Sequence, residues 1–283
     1  MERMATRIKH CGITNLDDAH RAAGAGAWAV GMIFWDGSPR RCELAEAQAI
    51  GAALRRTVQL VGVFVNAPFE EIEGTVQACG LTMVQLHGDE GPAFCNEVAR
   101  RTGAKVIKAS RVRSKATLQA AAAFHTDFQL IDAHVTGLYG GTGQTVDWDL
   151  VRRHKFSAPI ILSGGLDPDN VADAIAATEP FAVDVASGTE RTPGVKDPEK
   201  LLAFARAVRS TWPEEDERAA QAAESAASAR AKVSSAAGAG AGRAEVSSSA
   251  AGAGVERSQV SSAAGAGAAR AREPSALAAE GLR

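Results

Sequence analysis

The chain is poor in cysteine, in aromatic residues and in long hydrophobic runs, and it carries no excess of either charge. Its four cysteines (Cys11, Cys42, Cys79 and Cys95) are scattered, with no CxxC pair and no His/Cys cluster at metal-ligand spacing. That removes a disulfide framework and a zinc site from consideration. Reduced thiols in a cytoplasmic protein are the simplest expectation. No run of about 18 apolar residues occurs, and the N-terminus lacks the apolar segment of a secretory signal, so no membrane partner is expected. With 31 Lys+Arg against 33 Asp+Glu, a formal charge of −2, nothing electrostatic points to nucleic acid or an anionic membrane as partner.

What is present divides at Trp212-Pro213. Of the 283 residues, 46% are hydrophobic, enough for a sizeable core. Beyond the division, however, no aromatic residue occurs, and an imperfect short repeat begins at Val233, Val246 and Val260 ("VSSAAGAGAG", "VSSSAAGAG", "VSSAAGAGAA"). Such a segment has too little apolar surface to offset the entropy of ordering it. Residues 1–212 are expected to form the folded domain and 213–283 a disordered Ala/Gly/Ser-rich tail. A tail that serves as an interaction module on a non-catalytic scaffold is the alternative.

Within 1–212, short β-branched runs alternate with helical patterns. Strands are expected over Thr6–Cys11, Ala27–Phe34, Val58–Val65, Thr82–His87, Lys105–Ser110, Phe128–Ala133, Pro159–Ser163 and Phe181–Ala186. Amphipathic helices are expected over Leu44–Leu54, Phe69–Ala78, Gly91–Arg101, Lys115–Phe124, Asn170–Ala177 and Pro198–Ser210. Asp17, Ser114, Asp147, Asp169 and Asp197 stand at or near helix starts, where their oxygens accept from free N–H groups. Eight strands alternating with helices predict an α/β fold, a single (β/α)8 TIM barrel. The competitor, an open doubly wound sheet, needs a phosphate loop after its first strand, and "CGIT" is not GxGxxG.

In a barrel of this kind the chemistry collects at the C-terminal strand ends. Those ends carry Cys11-Gly12, Ser38-Pro39-Arg40, Gln85-Leu86-His87-Gly88-Asp89, Asp132 with Gly140-Gly141-Thr142-Gly143 after it, Ser163-Gly164-Gly165-Leu166, and Asp184-Val185-Ala186-Ser187-Gly188. Glycine-rich turns after strands seven and eight are where this fold holds phosphate, through backbone N–H groups; tight turns alone would also favour glycine. Arg40 is either a carboxylate fork or a solvated loop residue. Asp132, ending the apolar "FQLID", is either a proton donor with a pKa raised by desolvation or a loop cap. Cys11 reads as a base or a small buried hydrophobe, and His87 as a substrate contact or a core histidine.

In this order, the segments "KHCGIT", "GMIFWDGSPR", "VGVFVN", "VQLHGDE", "LIDAH", "GGTGQTVDW", "ILSGGLDPDNV" and "VDVASGTERTPGVKD" resemble phosphoribosylanthranilate isomerase, a (β/α)8 enzyme family of tryptophan biosynthesis. The resemblance runs from about Lys9 to Asp197. It implies an Amadori rearrangement of N-(5-phosphoribosyl)anthranilate, a small-molecule phosphosugar, with Cys11 as general base and Asp132 as general acid. Arg40 would hold the anthranilate carboxylate, and Gly164, Gly165, Ser187 and Gly188 the phosphate. Lys9, His87, Gly141 and Asp184 are further pocket candidates, Lys9 as the residue that lowers the thiol pKa. The implied chemistry needs no cofactor and no metal, and the family suggests a monomer. His10 and Val146 depart from the family pattern without touching a carried-over residue. An indole-glycerol-phosphate synthase would need a lysine acid, and the histidine-pathway isomerases a pair of aspartates; strand one ends in cysteine.

Alternation along strand one places Lys9 and Cys11 on one face and Ile8 and His10 on the other. His10 should therefore face the helical shell, find a hydrogen-bond partner there, and take no part in activating Cys11.

Overall fold

A computed structural model describes residues 5–112, 115–132, 151–152, 154 and 156–213. Of the residues expected to carry function, Gly141 lies outside them, as does the tail from residue 214 onward.

Eight strands form a closed parallel barrel in sequential order. They are β1 (Arg7–Cys11), β2 (Ala29–Ile33), β3 (Gln59–Phe64), β4 (Met83–Leu86), β5 (Lys105–Arg111), β6 (Phe128–Asp132), β7 (Ile160–Ser163) and β8 (Ala182–Val185). Around them stand α1 (Leu16–Gly24), α2 (Leu44–Leu54), α3 (Phe69–Cys79), α4 (Pro92–Thr102), α5 (Lys115–Ala121), α6 (Val171–Thr178) and α7 (Pro198–Arg209). The strands are a residue or two shorter at several ends than the apolar runs suggest. One helix, α1, has only alanines on its buried face besides Asp18, too weak a stripe to announce itself. Its start is fixed by Asn15, whose side chain accepts from the Asp18 N–H, and that of α7 by Asp197, which accepts from the N–H groups of Glu199 and Lys200. A short hairpin, β9 (Glu190–Thr192) with β10 (Val195–Lys196), follows β8.

Period-two alternation divides each strand between two cores. Ile8, Val30, Leu60, Val84 and Val183 pack outward against Ala19, Ile50, Ile72 and Phe204 of the helices. Ala29, Val61, Met83, Ile107, Leu130, Ile161 and Ala182 fill the barrel interior. At its N-terminal end Trp28, Phe128 and Phe181 meet with ring centroids 5.1–5.6 Å apart, and the Arg7 guanidinium covers the Phe181 ring at 4.3 Å. The lower end of the barrel is thus sealed by apolar rings, with the Arg7 cation stacked on one of them. Among the described residues, no helix is long and apolar enough to cross a membrane.

His10 corrects one expectation. It faces the shell as alternation requires, edge-on to Phe204 of α7 with centroids 5.9 Å apart. Yet neither ring nitrogen has a hydrogen-bond partner among the described residues. The ring fills an aliphatic site, and the cost of its bare nitrogens falls on the fold. Burial, aided by the nearby charges of Lys196 and Lys9, pushes its pKa down to about 3. The folded value is therefore depressed below the unfolded one. The neutral ring's contribution is complete above about pH 6.5, and it is lost as pH falls toward 3, because only the unfolded chain takes up the proton. At pH 5 the loss is about 2 kcal/mol, at ~1.4 kcal/mol per pH unit. His10→Val is expected to flatten the fall in Tm between pH 6.5 and 4 relative to wild type; parallel melting curves for both proteins would disprove this account.

Candidate active site

Lys9 and Cys11 both end in the barrel's upper half, and a third residue, Asp184 of β8, faces them. The Lys9 Nζ donates to Asp184 Oδ1 at 2.7 Å with the lysine fully buried. Asp184 Oδ2 accepts from the Ser163 hydroxyl at 3.2 Å. Burial works against the charged ammonium of Lys9, but Asp184 and the Cys11 sulfur outweigh it and hold its pKa above the ordinary value. For Cys11 the balance runs the other way. Burial raises the thiol pKa, Asp184 raises it further, and Lys9 and Lys196 pull it down without overcoming the rise. Lys9 thus acts in the expected direction, but the resting thiol is more basic, not less, than a free cysteine. A raised pKa makes the thiolate a stronger base once formed.

Room for this group is made by β2. Gly31 is the register partner of Cys11, and a methyl in place of its hydrogen would lie 3.0 Å from Cys11 Sγ and 3.2 Å from Lys9 Nζ. Only glycine leaves both polar atoms where they are.

Asp132 and His87 form a second group. Asp132 ends β6 on the same face as Leu130, hence inward, and its Oδ2 lies 3.9 Å from His87 Nε2. The other ring nitrogen of His87 is 2.9 Å from the Gln85 amide nitrogen. With that amide donating, Nδ1 is the acceptor and the Nε2 proton points toward Asp132. The loop that carries His87 is pinned beneath by Glu90. Its carboxylate accepts from the N–H groups of Asn66 and Gly88 and from Lys108 Nζ at 2.8 Å. Burial alone would raise the Glu90 pKa, and these donors bring it below the ordinary carboxylate value.

Arg40 lies across the mouth next to Cys11, its stem packed on Gly12. That residue's φ of +73° and the closeness of Arg40 Cδ both require glycine. The Ser38 hydroxyl accepts from the Arg40 backbone N–H at 3.1 Å, which turns the loop back toward the barrel. The guanidinium is bound to Glu190 of the hairpin after β8, with Nη2 2.8 Å from Oε2. Lys196 Nζ stands 3.4 Å from the same carboxylate and donates to Ala186 O; burial lowers its pKa.

The two glycine turns meet on the far rim. Gly164 and Gly165 hold φ of +107° and +64°, open to glycine and strained for other residues. Ser187 and Gly188 begin a single 3-10 turn, and Gly188 lies so close to Leu166 O that no Cβ fits between them. Backbone N–H groups of both turns therefore share one rim, the arrangement an anionic oxygen group requires.

Cys11, Lys9 and Asp184 are thus in direct contact, His87 is beside Asp132, and Gly164, Gly165, Ser187 and Gly188 form one surface. Glu190, Lys196 and Gly31 stand outside the residues singled out from sequence, and Gln85 figures there only as part of a strand end, with no role. The first two lie inside the segment "VASGTERTPGVKD", but only the hairpin's return over the barrel shows what they touch.

Gly31→Ala is expected to keep the far-UV dichroism and thermal midpoint of a folded barrel. It should lower turnover severalfold to about tenfold, because Cys11 Sγ and Lys9 Nζ must each shift by a few tenths of an ångström. Wild-type turnover in a folded Gly31→Ala protein would mean that Cys11 and Lys9 do not need the space.

A family model described as "N-(5'phosphoribosyl)anthranilate (PRA) isomerase" matches residues 8–207. The N-(5'-phosphoribosyl)anthranilate isomerase of Citrifermentans bemidjiense is 48% identical over 196 residues, 69% of this chain and 93% of that protein. A solved phosphoribosyl anthranilate isomerase in complex with reduced 1-(o-carboxyphenylamino)-1-deoxyribulose 5-phosphate superposes with a TM-score of 0.64 at 38% identity. It covers 72% of this chain and 99% of its own. A structure described as mutually generated monomers of the dimeric enzyme from Thermotoga maritima gives a TM-score of 0.63 at 36% identity, with the same coverage. On these matches and on its eight-stranded barrel, the chain belongs to the N-(5'-phosphoribosyl)anthranilate isomerase family.

Proposed function

We infer that the protein is an isomerase of tryptophan biosynthesis. It converts N-(5-phosphoribosyl)anthranilate into 1-(2-carboxyphenylamino)-1-deoxyribulose 5-phosphate. The observation that carries the assignment of roles is the placement of a buried thiol beside an ammonium, Cys11 with Lys9, across the barrel mouth from a carboxyl on β6, Asp132.

The reaction needs one acid and one base. Asp132 gives a proton to the furanose oxygen; the C1–O bond breaks as the aryl nitrogen's lone pair forms the C1=N iminium. The Cys11 thiolate then removes the proton from C2, and the C–H electron pair moves between C2 and C1 to neutralise the iminium as an enolamine. Protonation at C1 with loss of the C2 hydroxyl proton leaves the ketone at C2 and a secondary amine at C1. Lys9 favours the thiolate by its charge, and Asp184 holds Lys9 in place. The Asp132 carboxylate left by the first step lies 3.9 Å from His87 Nε2. Arg40 takes the anthranilate carboxylate, and the Gly164-Gly165 and Ser187-Gly188 turns take the phosphate. No metal or redox cofactor enters any step.

A free thiol at Cys11 requires a reducing compartment, which supports the cytoplasm. Every group named belongs to one chain, which supports a monomer, while the dimeric relative from Thermotoga maritima carries the alternative. The catalytic unit is residues 1–212, with 213–283 an appended tail.

Disappearance of phosphoribosylanthranilate fluorescence tests the assignment. Cys11→Ala and Asp132→Asn should each lower kcat by about 10²–10⁴, the usual worth of a general acid or base. Full activity in either variant would remove that residue from the mechanism. A chain ending at Trp212 should keep the kcat/KM of the full chain; loss of activity in that folded, shortened protein would assign the tail a catalytic part.

A further inference from the structure

The Arg40 guanidinium has two usable edges, and one of them is already taken. Its Nε lies 2.9 and 3.0 Å from the two oxygens of Glu190, and its Nη2 lies 2.8 Å from Oε2. The Glu190 side chain is 4% exposed and that of Arg40 24%, so the pair is shielded on the glutamate side and open on the arginine side. Among the described residues nothing engages Nη1 or the outer hydrogen of Nη2. These two donors form the second edge, with the spacing that suits a planar carboxylate.

Glu190 is itself held firmly. Gly194 N–H donates to Oε1 at 3.3 Å, Lys196 Nζ stands 3.4 Å from it, and Lys200 Nζ donates to the Glu190 backbone carbonyl at 2.9 Å. The hairpin is anchored in turn to α1, where Asp18 accepts from the Lys196 N–H at 2.8 Å. A carboxylate on its own would repel an anionic substrate. Between Arg40 and Lys196 it leaves the group of three with a net charge of +1, so the mouth stays attractive to one carboxylate.

We propose that Glu190 is the positioning residue for Arg40, binding the Nε–Nη2 edge so that the Nη1–Nη2 edge is presented to the ortho-carboxylate of an N-aryl sugar phosphate. The hairpin after β8 is then a specificity element, selecting ortho-carboxylated aryl amines over unsubstituted ones. This rests on Arg40 as the carboxylate holder. Without Glu190 the long side chain keeps its charge but samples several rotamers, so affinity falls for ligands that use the fork and holds for ligands that do not.

The experiment compares two inhibitors with full-length wild type, Glu190→Gln and Arg40→Met. One inhibitor is reduced 1-(2-carboxyphenylamino)-1-deoxyribulose 5-phosphate, and the other is the same compound with phenyl in place of carboxyphenyl. Wild type should bind the carboxylated compound more tightly, and Arg40→Met should abolish that preference. Glu190→Gln should shrink the preference by roughly ten- to hundredfold, the scale of a charge-assisted hydrogen bond, with affinity for the phenyl compound within about twofold of wild type. If Arg40→Met abolishes the preference and Glu190→Gln keeps it, the positioning role is wrong and the Arg40 reading stands. Equal weakening of both compounds by Glu190→Gln would assign it a merely structural role and overturn the proposal. A preference that survives Arg40→Met overturns the Arg40 reading and the proposal with it. Should Glu190→Gln fail to fold, Glu190→Asp takes its place. That variant withdraws the carboxylate from Arg40 while keeping its charge, and the same shrinkage of the preference is expected of it; an unchanged preference overturns the proposal.

Discussion

The barrel closes where its first strand meets its last, and the closing contact is an ion pair. Lys9 and Asp184 are register partners across the β1–β8 seam, and their side chains meet inside the barrel at 2.7 Å. Two buried charges are costly to desolvate, so the pair is poor evidence for stability in itself. Its value lies in what it positions. The ammonium is held beside the Cys11 sulfur, Ser163 is drawn to the same aspartate, and the mouth of the barrel is set around them. Loss of either partner would leave the other charge buried and uncompensated.

A division of labour within the barrel follows from that arrangement. The aromatic rings of Trp28, Phe128 and Phe181 close the lower end, and apolar residues fill the middle. Lys9, Gln85, Asp132, Ser163 and Asp184 are inward polar side chains on five different strands. Three long side chains at the mouth are each tied to a partner: Lys9 to Asp184, His87 to Gln85, Arg40 to Glu190. Flexible side chains with fixed ends suit a reaction in which one acid and one base must address neighbouring atoms of a single sugar.

Much of this is legible in the chain itself, and the reasons are specific. The β-branched runs and the Leu44–Leu54 helix are local patterns, and the helix ends where expected. Cys11, Asp132 and the glycine turns are legible as strand-end residues, because the strand pattern places them there and the barrel keeps them there. Asp197 is legible as a cap, and the side chain does cap. Less visible are features that depend on residues far apart in sequence. The net direction of the Cys11 pKa is the outcome of burial against two ammonium groups, and no motif states that balance. Polarity alone predicts a partner for His10, which instead packs its bare ring on Phe204. Glu190 sits in a segment that reads as a loop, and only the folded hairpin carries it to Arg40.

The seam also governs when the fold can form. Lys9 and Asp184 are separated by 175 positions, and the Trp212 indole N–H reaches back 206 positions to the Thr6 carbonyl. Neither contact exists until nearly all of the domain has left the ribosome. Up to that point β1 is an open sheet edge with a lysine beside it that lacks its counter-charge, a state open to wrong pairing. Closure is then a late, non-local step whose loop entropy is met all at once. The residues that surround the Cys11 sulfur are the same ones that wait longest for their partner, so the buried thiol acquires its setting only at the end of folding.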